Sequence, residues 1–213
     1  MTSMSLLDHA VRGEAFPEPL TTEQYHRMIE TGVLMEGTPI ELIDGILVRK
    51  DRRDSAEDSI TTVGPGHCSA LTQLMTLLIS ATGGVNCHVR CQQPIHVPPR
   101  HEPEPDHAVV RGGVCDYNEG HPEPEHVLLL VEVSDSSLSY DRGEKLRVYA
   151  AAEISQYWIV NLSDRCIEVY TQPSASAEPA SYQSKQVFER GQSVSFDVDG
   201  QTLELDVNAV LPA

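Results

Sequence analysis

Two acids stand where acids are costly. Asp106 follows Pro105 and opens the apolar stretch Ala108-Val109-Val110, and Glu132 closes the run Val127-Leu128-Leu129-Leu130-Val131. A carboxylate on a strand covered on both faces needs a partner, a proton or a cation. Two such carboxylates on adjacent strands can share a divalent ion, and an all-oxygen site suits Mg²⁺ or Mn²⁺. The chemistry on offer is hydrolysis of a phosphate ester, with the cation neutralising charge that develops at phosphorus. The competing account is plainer: Glu132 reaches solvent at a strand end and Asp106 caps a turn. Strand ends commonly carry acids, so both accounts stay open on these two residues.

A third group follows closely in Asp141-Arg142-Gly143-Glu144-Lys145. The ammonium of Lys145, early in a helix, can orient a water and stabilise transition-state charge. Its alternative is an i,i+4 pair with Asp141, worth about 0.2–0.5 kcal/mol. Other chemistry-bearing residues read as structure. Cys87-His88-x2-Cys91 contains metal-ligand types, but a zinc site needs four ligands, and in a strand both cysteines share a face with Val85 and Val89. Ser134 and Ser137 lack the surrounding glycines of a nucleophile elbow and fit a turn before a helix.

The elements that must position these groups are legible from spacing. Thr21 and Gln24 have capping-box spacing, which starts a helix bearing Tyr25, Met28 and Ile29 on its apolar face. Ile40–Ile43 and Ile46–Val48 form a hairpin about Asp44-Gly45, a pair that accepts positive φ at both turn positions. Residues 51–65 are polar and read as a mobile loop. Leu71, Leu74, Met75 and Leu78 recur at helical spacing, and Gly83-Gly84 ends that helix. Val85, Cys87, Val89 and Cys91 alternate as a strand, and a second strand runs from Asp106 to Val110. The run ending in Glu132 is the third, apolar throughout as a doubly covered strand should be. A helix from about Asp141 to Ala152 precedes the strand Tyr157–Val160, whose hairpin partner is Cys166–Tyr170. A last hairpin turns at Asp199-Gly200. The order over residues 67–161 is helix, three strands, helix, strand. The fold class is therefore α/β, with a mixed central sheet and hairpins added at both ends. Residues 1–19 read as a tail and 20–213 as a single domain.

The 213 residues carry 15 Lys+Arg against 32 Asp+Glu, a formal charge of −17. Nucleic-acid binders usually present a basic face, so this balance argues against tight non-specific DNA binding unless a local basic strip or a divalent ion offsets it. Arg49, Lys50, Arg52 and Arg53 place four of those cations within five residues. They are either phosphate contacts near the site mouth or a solvated loop balancing the acidic surface. Five cysteines without a signal-peptide pattern point to free thiols in a reducing, cytoplasmic setting, and no apolar run is long enough to span a membrane.

Pro39-Ile40-Glu41-Leu42-Ile43-Asp44-Gly45, His67, Pro105-Asp106, Val131-Glu132-Val133-Ser134, Asp141-x3-Lys145-x3-Tyr149 and Gln156-Tyr157-Trp158-Ile159-Val160 occur in that order. The series resembles the bacterial "putative restriction endonuclease" family known as the Uma family, of the PD-(D/E)XK nuclease superfamily, over roughly residues 20–205. The resemblance implies a restriction-endonuclease-like core and a Mg²⁺- or Mn²⁺-dependent hydrolysis of phosphodiesters, in DNA. It makes Asp106 the acid after proline and Glu132 the acid of the Glu-x-Lys element. Ser134 stands where that element has lysine, and the resemblance implies that Lys145 supplies the cation from the next helix. It implies metal ligation by Asp106, Glu132 and the Val133 carbonyl, with Lys145 positioning the attacking water. Glu41 matches an early glutamate that reaches the metal or orients Lys145; its plain reading is an exposed strand residue. His67 matches a histidine at the start of the first core helix; its plain reading is a satisfied, partly buried side chain. Cutting both strands of a duplex implies a homodimer. Two rivals remain: a binding or assembly module that kept the fold without catalysis, favoured by the charge, and a hydrolase of a non-nucleic phosphate ester.

Overall fold

The computed structural model describes residue 13, residues 16–50 and residues 64–211. Helix α1 (Thr22–Glu30) starts at the expected capping box, with Thr21 and Gln24 each satisfying the other's backbone amide. Strands β1 (Ile40–Ile43) and β2 (Ile46–Arg49) form the expected hairpin. Its turn has positive φ at Asp44 and at Gly45. Gly45 is needed for a second reason: a Cβ there would sit 2.5 Å from Pro19 Cβ and 2.6 Å from the Leu20 carbonyl. The segment before α1 lies tightly on this turn, and Leu20 N–H donates to the Gly45 carbonyl at 2.9 Å.

Helix α2 (Pro65–Ala81) leads into β3 (Cys87–Cys91), β4 (His107–Arg111) and β5 (Val127–Ser134). The next helix begins before the expected Asp141. It runs as one segment, α3, through Leu138–Tyr140, a π-helical turn over Asp141–Lys145, and Leu146–Ala151. The early start has a local cause, because the Ser134 and Ser137 hydroxyls both donate to Asp141 Oδ2 at 2.6 Å and hold the first turn in place. Strands β6 (Gln156–Asn161), β7 (Cys166–Ser174) and β8 (Ser181–Glu189) follow, then the hairpin β9 (Ser193–Val198) and β10 (Gln201–Asp206), and a short helix α4 (Val207–Val210). No strand was expected in the polar stretch that forms β8, which alternates weakly and lies at the sheet edge.

The central sheet has the order β3-β4-β5-β6-β7-β8. Only the β5–β6 pair is parallel, because α3 makes the crossover between them. Alternation along the strands splits the core. Val109, Val131, Val133, Trp158 and Val160 face α2, α4 and the β9–β10 hairpin, whereas Ala108, Leu130, Tyr157 and Ile159 face α3 and the loop leading to β4. Every residue of β5 is buried, as its unbroken apolar run requires. Glu132 shares the parity of Leu130, so its carboxylate belongs to the α3 side, while Asp106, just before β4, also lies within reach of the start of α2.

Glu168 anchors α3 to the sheet. This carboxylate, 1% exposed in β7, accepts from Arg142 Nε at 3.1 Å, Asn161 Nδ2 at 3.2 Å and Tyr170 Oη at 2.5 Å, and pairs with Lys185 Nζ at 2.8 Å. Burial would raise its pKa, but the hydrogen bonds from Arg142, Lys185, Tyr170 and Asn161 outweigh that and bring it down to about 2. A depressed carboxyl contributes stability above its unfolded pKa of 4.5 and loses it as pH falls through the folded value of about 2. Glu168→Gln should therefore cost roughly 1–3 kcal/mol at neutral pH, discounted because Arg142 and Lys185 are partly exposed. Melting curves across pH should show the full gap between variant and wild type above pH ~4.5, closing towards pH ~2.

Candidate active site

Register brings the two acids together. His107 pairs with Val131 across β4 and β5, so the preceding Asp106 lies opposite the following Glu132. The Val133 amide donates to Asp106 Oδ2 at 2.9 Å, and the Asp106 amide lies 3.3 Å from Glu132 Oε2. The N–H and C=O of one strand residue point to the same side, so the Val133 carbonyl also faces Asp106.

Lys145 joins them from the π-helical turn of α3. Its Nζ donates to Glu132 Oε1 at 2.8 Å and lies 3.5 Å from Glu41 Oε2. Asp141, four residues earlier, instead has Oδ2 held by the Ser134 and Ser137 hydroxyls. Ser134 lies two residues beyond Glu132 on the same strand face. A serine in that place, bonded to Asp141, fixes the turn from which Lys145 reaches back. The Tyr157 hydroxyl adds a bond to the Asp141 carbonyl at 3.1 Å. One turn beyond Lys145, Tyr149 Oη donates to Glu132 Oε1 at 2.9 Å.

Glu41 is buried, at 2% exposure, rather than an exposed strand residue. Its Oε2 accepts from the Glu104 amide at 3.1 Å. The hairpin carrying it is fastened to α3 by the ion pair between Asp44 and Arg147. His67 is buried on the first turn of α2, with Nε2 3.8 Å from Asp106 Oδ2 and Nδ1 without a hydrogen-bond partner. Four of the five sequence-selected side chains thus converge tightly, and His67 stands just beyond hydrogen-bond reach. Sequence reading missed Gln92, whose Nε2 lies 3.3 Å from Asp106 Oδ1, and the role of Tyr149. Gln92 follows the last alternating residue of β3 and has positive φ, which strand periodicity does not reveal.

Three buried carboxylates here share one buried ammonium. Burial pushes the Glu132 carboxyl up; Lys145 opposes this, and Asp106 and Asp141 add to the rise, to about 8. Burial alone would push the Lys145 ammonium down, but Glu132, Glu41 and Asp141 outweigh it and hold its pKa well above the usual lysine value. The cation is secure and the central carboxylate is under-compensated, an arrangement that favours an added positive charge. Asp106 Oδ1, Glu132 Oε2 and the Val133 carbonyl are the hard oxygens that could hold such a charge. Few protein ligands with water completing the shell suits Mg²⁺.

Of the basic cluster, Lys50 is committed elsewhere: its Nζ donates to the Glu104 carbonyl at 3.1 Å and pairs with Glu104 Oε2 at 3.0 Å. Arg52, Arg53 and nearly all of the polar loop lie outside the described residues. All five cysteines are free thiols. No helix among the described residues is long and apolar enough to cross a membrane.

The mixed α/β sheet sets Asp106, just before β4, against Glu132, within β5. The similarity of the fold reaches a crystal structure described as a putative nuclease belonging to DUF820 from Anabaena variabilis, with a TM-score of 0.59 and 16% identity, over 90% of this chain and 97% of that one. The profile of the Uma2 family, described as "Putative restriction endonuclease", matches residues 22–208, and the chain belongs to that family. No curated protein matches it.

Proposed function

We propose that the chain is a PD-(D/E)XK-type nuclease that hydrolyses phosphodiester bonds in DNA with Mg²⁺ or Mn²⁺. The observation that carries this reading is the meeting of Asp106, Glu132 and Lys145, from two strands and a helix, at one buried point. Asp106, Glu132 and the Val133 carbonyl would hold the ion, which when bound neutralises charge at the scissile phosphate. Lys145 orients the attacking water and stabilises the developing negative charge. Glu41 holds the ammonium from its other side, and Tyr149 fixes the Glu132 carboxylate. Arg49, Arg52 and Arg53 contact flanking phosphates, and a homodimer presents two sites to a duplex.

The test is incubation of plasmid DNA, single-stranded DNA and RNA with Mg²⁺ or Mn²⁺ over a pH series. DNA cleavage should require the metal and stop with a chelator. It should rise as pH approaches about 8, because the ion and a proton compete for Glu132 below its pKa. The charge of −17 should make DNA binding weak and steeply dependent on salt. Metal binding without cleavage of any nucleic acid would instead support a non-catalytic module, and cleavage confined to small phosphate esters the other rival.

A further inference from the structure

A second group of ligands lies apart from the acids. Among the described residues, His26, His96 and Glu102 form a trio whose ligand atoms all fall within 4.8 Å of one another. His26 Nε2 lies 2.7 Å from each Glu102 oxygen, and His96 Nδ1 lies 3.0 Å from Glu102 Oε2. We propose that these three side chains bind one divalent transition-metal ion of the zinc class, with water in the fourth position.

The backbone holds all three in place. Val97 and His101 exchange backbone bonds of 3.0 Å in both directions, which turns the chain back and sets His96 beside Glu102. Glu102 N–H donates to the Leu42 carbonyl at 2.8 Å, and Thr22 N–H, at the start of α1, donates to the Pro99 carbonyl at 2.8 Å. Helix α1 is thereby docked on the same loop, with His26 one turn along. Two imidazoles and a carboxylate are the borderline donors that zinc-class ions select, unlike the all-oxygen set around Asp106. Zinc bonds of about 2.0–2.2 Å at tetrahedral angles place donor atoms about 3.3–3.6 Å apart, so the histidine nitrogens, now 2.7 and 3.0 Å from the carboxylate, need to part from it by only about 0.5 Å to admit an ion. The Glu102 carboxylate is 3% exposed, whereas the His26 side chain is 41% exposed. The site therefore has a buried base and an open mouth. That mouth adjoins a cavity of about 800 Å³ lined also by His121 and Glu123. An ion here would clip α1 to the loop that continues into Glu104 and Asp106.

The experiment is titration of the chelator-stripped full chain with Co²⁺ and Zn²⁺ in excess Mg²⁺, which saturates a hard oxygen site without displacing an imidazole-bound ion. One equivalent should bind, with a tetrahedral Co²⁺ d–d spectrum lacking thiolate charge transfer. Zn²⁺ at roughly 100 times Kd should raise Tm by roughly 5–10 °C. His26→Gln and His96→Gln should each weaken binding by about 100-fold or more, since loss of outer-shell partners alone costs about 10–100-fold. The His26 side chain is partly exposed on its helix, and glutamine is a good helix former, so that variant keeps its circular dichroism. Failure to bind either ion, a thiolate-type spectrum, or unchanged affinity in both variants overturns the proposal. None of these outcomes bears on DNA cleavage by the acid site.

Discussion

Asp106→Asn and Glu132→Gln should each abolish measurable Mg²⁺ and Mn²⁺ binding and lower cleavage by at least about 10³-fold, or about 4 kcal/mol in the barrier, while the chain stays folded. The site offers only two carboxylates and one carbonyl, so losing either acid leaves too few fixed oxygens to draw an ion out of water. The fold survives Asp106→Asn because the amide oxygen can still accept the Val133 N–H, and Glu132→Gln because Glu132 is not a net asset to the fold without metal. A carboxyl raised to about 8 contributes stability below its unfolded pKa of 4.5, and that contribution is lost as pH rises through the folded value. Without metal, wild type should therefore lose stability from pH ~4.5 to ~8, and Glu132→Gln should lose less. At pH ~9 its melting temperature should exceed that of wild type until Mg²⁺ is added, when the order reverses. Calorimetry giving unchanged metal affinity in both variants sinks the ligand assignment.

The fold was legible wherever one local signal governs structure. The capping box at Thr21, the Asp44-Gly45 and Asp199-Gly200 turns, and the apolar run ending in Glu132 each fix an element through sequence-adjacent residues. The central pair of acids was legible for the same reason, because their cost shows in the flanking apolar strand. What escaped depends on distant partners. Edge strand β8 is polar and owes its existence to pairing with β7. Helix α3 starts early because Ser134 and Ser137 hold Asp141, a contact that no periodicity encodes. Gln92 and Tyr149 gain their roles only when β3 and α3 are placed against Asp106 and Glu132. The trio of His26, His96 and Glu102 comes from a helix and both ends of a loop hairpin. No ligand spacing links position 26 to position 96 along the chain, so sequence inspection had no reason to join them.

Lys145→Met should leave metal bound, more tightly than in wild type, while cleavage falls by about 10²–10³-fold, the scale seen when one donor to developing negative charge is removed. The two effects have opposite signs because the ammonium does two jobs. In the resting site it neutralises Glu132 and Glu41, and so competes with an added cation for the same negative charge. In the transition state it positions water and meets charge that the ground state lacks. Removing it leaves Glu41 and Glu132 buried without a cation, which should cost about 3–5 kcal/mol of stability in the absence of metal. Mg²⁺ should restore much of that loss, so the metal-induced rise in Tm should be larger in the variant than in wild type. Glu41→Gln separates the roles further. Glu41 touches Lys145 but accepts its backbone bond from Glu104, so its loss should loosen the ammonium and lower kcat with little change in metal affinity. Lys145→Arg should not rescue the rate, because a planar fork cannot occupy the compact gap between Glu132 Oε1 and Glu41 Oε2. Should Lys145→Met cleave DNA like wild type, the ammonium serves only to balance buried charge, and the attacking water is oriented elsewhere, with His67, 3.8 Å from Asp106, the next residue to replace.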